Sequence, residues 1–352
     1  MKKRLIIFCD YFGNGGIEKI STYIKENIDK NSFKTEILCT IKNSQIYSEN
    51  VISMSRKKYK NPIYRFIKTS FNIKKYTKNT DIVNVNIHSP VGLFYAFLLR
   101  NSSSKVVVYA HNSNFDNDIF KFKKIIATVF KYLFCSRKYT YIACSKDAAE
   151  FCFKKNTRYD VIKGEIDRKR FLYNEEKRKI IREKYNIDEN TIVIGNVGRL
   201  SKQKNQQFLV RIFAEFNKIN PKSKLVIIGS GKEEKNILKL INKYKIESNV
   251  CMIKEEKNIE NMYQMFDFYV STSKYEGYGL TIYEALNSSL KCFVPTKVSN
   301  NFNSDNIIKV RLNDSPYDWA RKINKEIGYK RVVYNLEEND QYIKQIEKIY
   351  ME

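Results

Sequence analysis

Ser271-Thr-Ser-Lys-Tyr-Glu276-Gly-Tyr-Gly279-Leu280-Thr-Ile-Tyr-Glu284-Ala-Leu286 is the stretch around which this chain is organised. The apolar run Phe266 to Val270 leads into it as a buried strand. Glu276, Gly277 and Gly279 then occupy a turn, and Leu280 to Leu286 has the apolar spacing of a helix. The first backbone N–H groups of a helix lack intrahelical acceptors and lie at the positive end of its aligned peptide dipoles. Such a start suits an anion, above all a phosphate. Seven residues separate Glu276 from Glu284, so the first carboxylate sits at the helix mouth and the second one to two turns inside. A loop is where functional groups concentrate, and an acid within an apolar helix is not an ordinary surface residue.

Outward from this stretch, short apolar runs alternate with helical patterns. Strands are expected at Arg4–Cys9, Lys34–Ile41, Asp81–Ile87, Lys105–Ala110, Tyr139–Cys144 and Asp160–Lys163, with helices at Ile17–Ile28, Val91–Leu99 and Ile119–Phe134. The charged segment Glu165–Asn190 breaks the pattern, which restarts with strands at Thr191–Asn196, Lys224–Ile228 and Val250–Ile253 and helices at Gln206–Phe216 and Glu234–Tyr244. Strands that alternate with helices make parallel βαβ units with right-handed crossovers. A chain of 352 residues exceeds one hydrophobic core. The expected fold is therefore α/β, two doubly wound Rossmann-like domains at 1–168 and 169–335, facing across a cleft. Ligands of such sheets bind outside the carboxyl ends of the strands. Glycine turns fall there, at Gly13–Gly16, at Gly198 and at Gly229-Ser-Gly231. Arg199 and Lys204, on the loop after Gly198, suit a diphosphate.

Hydrophobic residues make up 43 % of the chain, which excludes a disordered protein. The longest nearly unbroken apolar run, Val91–Leu99, is far too short to span a membrane, and Leu5-Ile-Ile-Phe-Cys9 is too short for a secretion signal, so a cytoplasmic protein is expected. Seven cysteines without a C-x-x-C pair read as buried free thiols, and a total of two histidines argues against a His-based metal site. The net charge of +26 is uneven: residues 1–170 hold 33 Lys/Arg against 14 Asp/Glu, the remainder 31 against 24. Two acid-free stretches, Asn50–Thr80 and Ile119–Lys146, interleave Lys and Arg with Tyr and Phe. An anionic membrane surface is the favoured partner for them, ahead of nucleic acid; a solvated lysine face without a partner is the remaining reading. Asp116-Asn-Asp118 spells a D-x-D, but it precedes an apolar helix, where Asp and Asn are ordinary N-caps.

Five motifs occur in a telling order: Gly15-Gly-Ile-Glu18, Ala110-His-Asn112, Gly198-Arg-Leu200 with Lys204 five residues after the arginine, Ile227-Ile-Gly-Ser-Gly231, and Glu276-Gly-Tyr-Gly-Leu280 with its E-x7-E spacing. Together they resemble the family 4 glycosyltransferases, retaining enzymes of the GT-B fold that use nucleotide sugars and are known from capsule and exopolysaccharide assembly. The resemblance is strongest over 192–295 and weak over 45–80. It implies that Glu276 lies near the donor sugar and that Glu284 hydrogen-bonds the ribose. Arg199 and Lys204 would hold the diphosphate, and Gly277, Tyr278, Gly279 and Leu280 would add backbone amides. Gly15 and Gly16 would form a loop closing over the phosphates, Gly198 and Gly229 would line the donor site, and His111 would meet the sugar at the reacting centre. His88 ends a strand too, yet no comparable motif surrounds it. The resemblance further implies a closing helix at 336–352 that returns to the first domain. It implies a metal-independent hexosyltransferase with no cofactor, a UDP-sugar as donor, and a lipid-linked or surface-polysaccharide acceptor met at the inner face of the membrane. The alternative is a non-catalytic glycosyltransferase-like subunit that binds the membrane or another enzyme.

Overall fold

Runs rich in Val, Ile and Leu favour strands, and here they are buried on both faces, as parallel strands covered by crossover helices must be. In the computed structural model, which describes residues 2–13, 15–42, 51–55, 62–115, 121–300, 302, 304–331 and 341–352, the chain divides into two units. Met1–Ile166 and Glu338–Glu352 form the first, Asp167–Glu337 the second.

The first unit holds β1 (Lys3–Phe12), β2 (Phe33–Lys42), β3 (Val51–Ser55), β4 (Ile82–Ile87), β5 (Lys105–Ala110), β6 (Thr140–Ala143) and β7 (Asp160–Val161). They lie side by side in the order β3-β2-β1-β4-β5-β6-β7, all parallel. Phe8 pairs with Leu38 on one side and Val85 on the other, and none of the three side chains is solvent-exposed. The second unit holds β8 (Ile192–Val197), β9 (Ser223–Ile228), β10 (Val250–Ile253), β11 (Phe268–Val270), β12 (Lys291–Pro295) and β13 (Ile307–Val310), in the order β10-β9-β8-β11-β12-β13. In each sheet the order reverses once, between β1 and β4 and between β8 and β11. Crossover helices leave such a reversal on opposite faces, which opens a crevice at the carboxyl ends of the two strands. Both units are thus the expected doubly wound Rossmann-like sheets.

Several boundaries differ from the sequence reading. Phe266 is not the first residue of a strand; it ends the helix Ile259–Met265, and β11 begins two residues later. The last strand of the first sheet is two residues long instead of four. Within the charged segment, Asn174 caps a helix, Glu175–Lys184, by accepting from the amide of Lys177. That helix is polar almost all round, burying only Ile181 and Arg182, and so carries little periodic signal. Asp116-Asn-Asp118 and the bases Arg56, Lys57, Lys58 and Lys60 lie outside the described residues.

In place of an apolar stripe, charge holds the helix Glu175–Lys184 down. Asp267 accepts from Arg178 Nη2 at 2.5 Å, from Arg182 Nη2 at 3.2 Å and from the Val193 amide at 2.7 Å. The helix Ile259–Met265 ends with carbonyls that no following turn satisfies, and two guanidinium groups take them. Arg178 Nη1 donates to Gln264 O at 3.1 Å and Phe266 O at 3.0 Å, while Arg331 donates to Tyr263 O at 3.1 Å, Gln264 O at 3.2 Å and Phe266 O. In the first unit, the helix Gln341–Met351 buries Tyr342, Ile343, Ile346, Ile349 and Tyr350. Tyr350 Oη accepts from Asn84 of β4 at 2.7 Å, and Lys105 donates to the Ile349 carbonyl.

Asp267→Ala leaves Arg182, whose side chain is only 4 % exposed, without its carboxylate. The second unit is expected to lose about 3 kcal/mol, seen as a lower urea midpoint of its transition. A loss under about 0.5 kcal/mol, typical of an exposed pair, would refute the anchoring role.

Candidate functional site

Three loops leave the carboxyl ends of β8, β9 and β11 in the second unit. After β8 the chain runs Gly198-Arg-Leu-Ser-Lys-Gln-Lys-Asn205 into the helix Gln206–Ile219; after β9 it makes the turn Gly229-Ser-Gly231; after β11 it runs from Ser271 to Gly279. The first two are zipped by backbone bonds, Gly198 N to Ile228 O at 2.9 Å and Leu200 N to Ser230 O at 3.0 Å. They pass so closely that a Cβ on Gly229 would overlap the Gly198 carbonyl, which is why no side chain can stand there. Loops one and three are joined as well. Thr272 Oγ1 lies 3.0 Å from the carbonyls of both Lys204 and Asn205, Lys274 N donates to Gln203 O at 2.8 Å, and Gln203 Nε2 donates to Tyr275 O at 3.0 Å.

This lacing sets Lys204 Nζ 2.6 Å from Glu276 Oε1, with the two side chains 18 % and 7 % exposed. Arg199 is exposed, one residue beyond Gly198 on the same loop. Gly277 and Tyr278 are buried; the Tyr278 ring stacks on Phe302 with centroids 5.8 Å apart. Gly279, at φ +89°, is the left-handed N-cap of the helix Leu280–Asn287. Glu284, in that helix, is fully buried, and Tyr263 Oη donates to its Oε2 at 2.6 Å. Burial, reinforced by the Glu284 charge, pushes the Tyr263 phenol well above its ordinary range, so it remains a proton donor. A helix start with a lysine and an arginine on the facing loop can hold an anion, and a glutamate at its mouth can take hydroxyl groups.

In the first unit, Gly15 is the N-cap of the helix Gly16–Asn27, just after β1. A Cβ there would strike the carboxylate of the buried Glu18, and Gly16 beside it is exposed. His111 follows β5, its ring 4.0 Å from that of Tyr109 and its Nε2 2.6 Å from Asn86 Oδ1. Burial, with a smaller contribution from the His88 charge, lowers its pKa to about 3. The imidazole is therefore neutral at physiological pH. Because the unfolded chain takes up this proton nearer pH 6.5, the group costs stability as the pH falls from there towards 3.

Of the residues singled out from the sequence, Gly198, Arg199, Lys204, Gly229, Glu276, Gly277, Tyr278, Gly279, Leu280 and Glu284 come together at the carboxyl end of the second sheet. Gly15, Gly16 and His111 come together at that of the first. Tyr263, Gln203, Thr272 and Asn86 were not anticipated. Tyr263 and Asn86 lie 21 and 25 residues from their partners, and neither carries a motif of its own.

Residues 177–303 match the family model described as glycosyl transferases group 1. The chain is 29 % identical over 269 residues to the uncharacterized glycosyltransferase MJ1059 of Methanocaldococcus jannaschii, a match covering 70 % of this chain and 64 % of that protein. It thus spans under two thirds of that relative. The putative glycosyltransferase EpsF of Bacillus subtilis is 22 % identical over 336 residues, 92 % of this chain and 87 % of EpsF. Among solved structures, Anabaena HepE in complex with UDP and glucose superposes with a TM-score of 0.75 at 15 % identity, covering 98 % of this chain and 94 % of HepE. That likeness is one of fold. The family match thus falls on residues 177–303, the heart of the second unit, and takes in the laced carboxyl-end loops.

Proposed function

We propose that the protein is a retaining, metal-independent glycosyltransferase that moves a sugar from a nucleotide diphosphate, UDP first among them, to a hydroxyl of a lipid-linked or surface-polysaccharide acceptor. The observation that carries this reading is the Lys204–Glu276 pair, held at 2.6 Å beside the N-terminus of the helix Leu280–Asn287. Lys204 and Arg199 would neutralise the diphosphate, helped by the amides of Gly277 to Leu280. Glu276 would take hydroxyls of the sugar. Glu284 would reach the ribose, with Tyr263 fixing one of its oxygens. Gly15 and Gly16 would offer amides to the phosphates, and His111 would face the sugar. The acceptor hydroxyl attacks the anomeric carbon on the face from which the diphosphate leaves. A new glycosidic C–O bond forms, the C–O bond to phosphate breaks, and the acceptor proton passes to a phosphate oxygen. Fixed bases and a helix start supply the charge stabilisation for which a metal ion would otherwise serve, so no cofactor is needed. The UDP complex of HepE and, among the relatives of this chain, an O-antigen biosynthesis glycosyltransferase of Escherichia coli favour the donor and acceptor classes.

A membrane-facing acceptor is favoured by the surface of the first unit. The helices Pro62–Tyr76 and Lys121–Phe134 touch through Phe66 and Phe130, whose centroids are 6.4 Å apart. Outward they show Ile67, Phe71, Ile125, Val129, Tyr132 and Leu133, with Phe71 80 % and Leu133 68 % exposed. Exposed lysines border them, Lys68, Lys74, Lys75, Lys78 and Lys124. Exposed apolar side chains on helices that also carry exposed cations suit the boundary of an anionic bilayer, at which peripheral enzymes dock without spanning it. No helix among the described residues is long and apolar enough to cross a membrane.

Two experiments test this reading. Purified protein given UDP-, GDP- or ADP-sugars should release one nucleotide diphosphate in the presence of EDTA. Lys204→Ala and Glu276→Ala should each slow that release roughly a hundredfold or more. Absence of both release and nucleotide binding by calorimetry would instead support a non-catalytic subunit. In co-sedimentation, vesicles of phosphatidylglycerol should retain the wild type and vesicles of phosphatidylcholine should not. The double variant Phe71→Ser, Leu133→Ser should bind phosphatidylglycerol at least about tenfold more weakly, since each apolar side chain contributes about 2 kcal/mol on burial. Equal retention of both proteins would remove the membrane from the proposal.

A further inference from the structure

We infer that Asn86 is a positioning residue that locks His111 into a single neutral tautomer, proton on Nε2 and lone pair on Nδ1, and so dictates what chemical group can face it. The two ends of a side-chain amide, one donor and one acceptor, are told apart by their partners. Asn86 lies in β4, between β1 and β5, and is buried. Its Nδ2 donates to the Phe8 carbonyl of β1 at 3.1 Å, with Cys9 Sγ at 3.8 Å as a second acceptor. A carbonyl oxygen can only accept, so the NH2 end of the amide points to β1 and Oδ1 points the other way. There it meets His111 Nε2 at 2.6 Å. Two acceptors cannot bond each other, so Nε2 carries the hydrogen.

Other contacts remove the ring's remaining freedom. The His111 amide donates to Ile87 O at 3.1 Å, which fixes the backbone at the end of β5. Tyr109 lies against the imidazole face at 4.0 Å and is itself pinned by its hydroxyl, which donates to Ile162 O at 2.7 Å. Low basicity completes the lock: a ring whose pKa is about 3 does not acquire a second proton that would erase the distinction between its nitrogens. Nδ1 is left as an acceptor with no hydrogen-bond partner among the described residues. Resting on the proposal that His111 faces the transferred sugar, this means the sugar must present a donor there. A hydroxyl or an amide N–H fits; a carboxylate, which only accepts, does not.

The chain contains two histidines, so the tautomer can be observed directly. In two-bond 1H–15N correlation spectra of 15N-histidine-labelled protein, with His88→Gln to assign the remaining ring, His111 should show a protonated Nε2 and an unprotonated Nδ1 at pH 7. Asn86→Leu should lose that single pattern and move towards a mixture, whereas Asn86→Asp, which keeps an acceptor oxygen, should retain Nε2–H. A protonated Nδ1 in the wild type, or an unchanged spectrum in Asn86→Leu, would overturn the lock. Should Asn86→Leu fail to fold, the Asn86→Asp spectrum and the wild-type tautomer still decide. Kinetics then separate the lock from the reading beneath it. UDP-sugar turnover by Asn86→Leu should drop about tenfold in kcat with little change in KM, and Asn86→Asp should recover part of it. If the spectra are as expected and turnover is unaffected, the tautomer lock holds and His111 does not face the sugar.

Discussion

Parallel strands cannot be joined by tight turns, and from this constraint the layout of both units follows. Each strand must be reached by a crossover that returns over a face of the sheet, so every strand points the same way and every carboxyl-end loop emerges on one rim. Where the order reverses, at β1/β4 and β8/β11, the loops of two adjacent strands leave towards opposite faces and a crevice opens between them. The chemistry-bearing side chains of this protein are concentrated at these two places. Lys204 and Glu276 are 72 residues apart, yet their loops leave β8 and β11, which are adjacent strands. Asn86 and His111 meet for the same reason, one inside β4 and the other just past β5.

Much of this was legible in the sequence. Runs such as Arg4–Cys9 and Lys105–Ala110 are apolar after their first residue because both faces of a covered parallel sheet are dry, and such runs are hard to mistake. The site loops could be found too, since Gly198, Gly229 and Gly279 each sit at a strand end or a helix cap. Side-chain pairing could not be read, because which carboxylate meets which base depends on loop geometry. Tyr263 is an instance: in the sequence it is an aromatic residue in a short helix, and only the fold shows that its hydroxyl serves Glu284. Glu284 reads in the sequence as a ligand-binding acid; that it is fully buried, with one oxygen already held by a protein hydroxyl, is visible only in the fold. The helix Glu175–Lys184 is hard to read from the sequence for another reason. Its anchoring to the unit is ionic, through Arg178 and Arg182, and a hydrophobic pattern does not register that.

Basic residues have different duties in the two halves. In the second unit, arginines that are buried or half-buried act as structural donors: Arg178, Arg182 and Arg331 bond Asp267 and the last carbonyls of a helix, a task that suits a planar guanidinium with five N–H groups. In the first unit the excess is largely lysine on exposed helix faces, beside apolar side chains that the core does not take up. An ammonium on a flexible stem can follow a soft, uneven surface, whereas a rigid fork cannot. Net charge alone does not reveal this division of labour.

The helix Gln341–Met351 carries a consequence for biogenesis. Its side chains belong to the first sheet, with Tyr350 bonded to Asn84, although the whole second unit is translated before it. Residues 167–337 form one uninterrupted stretch and can close on themselves as they leave the ribosome. The first unit, begun earlier, keeps the cover of β4 open until the helix Gln341–Met351 arrives. The first unit is thus completed only after the second has been made, and a nick just before residue 341 would damage the first sheet while sparing the unit next to it in sequence.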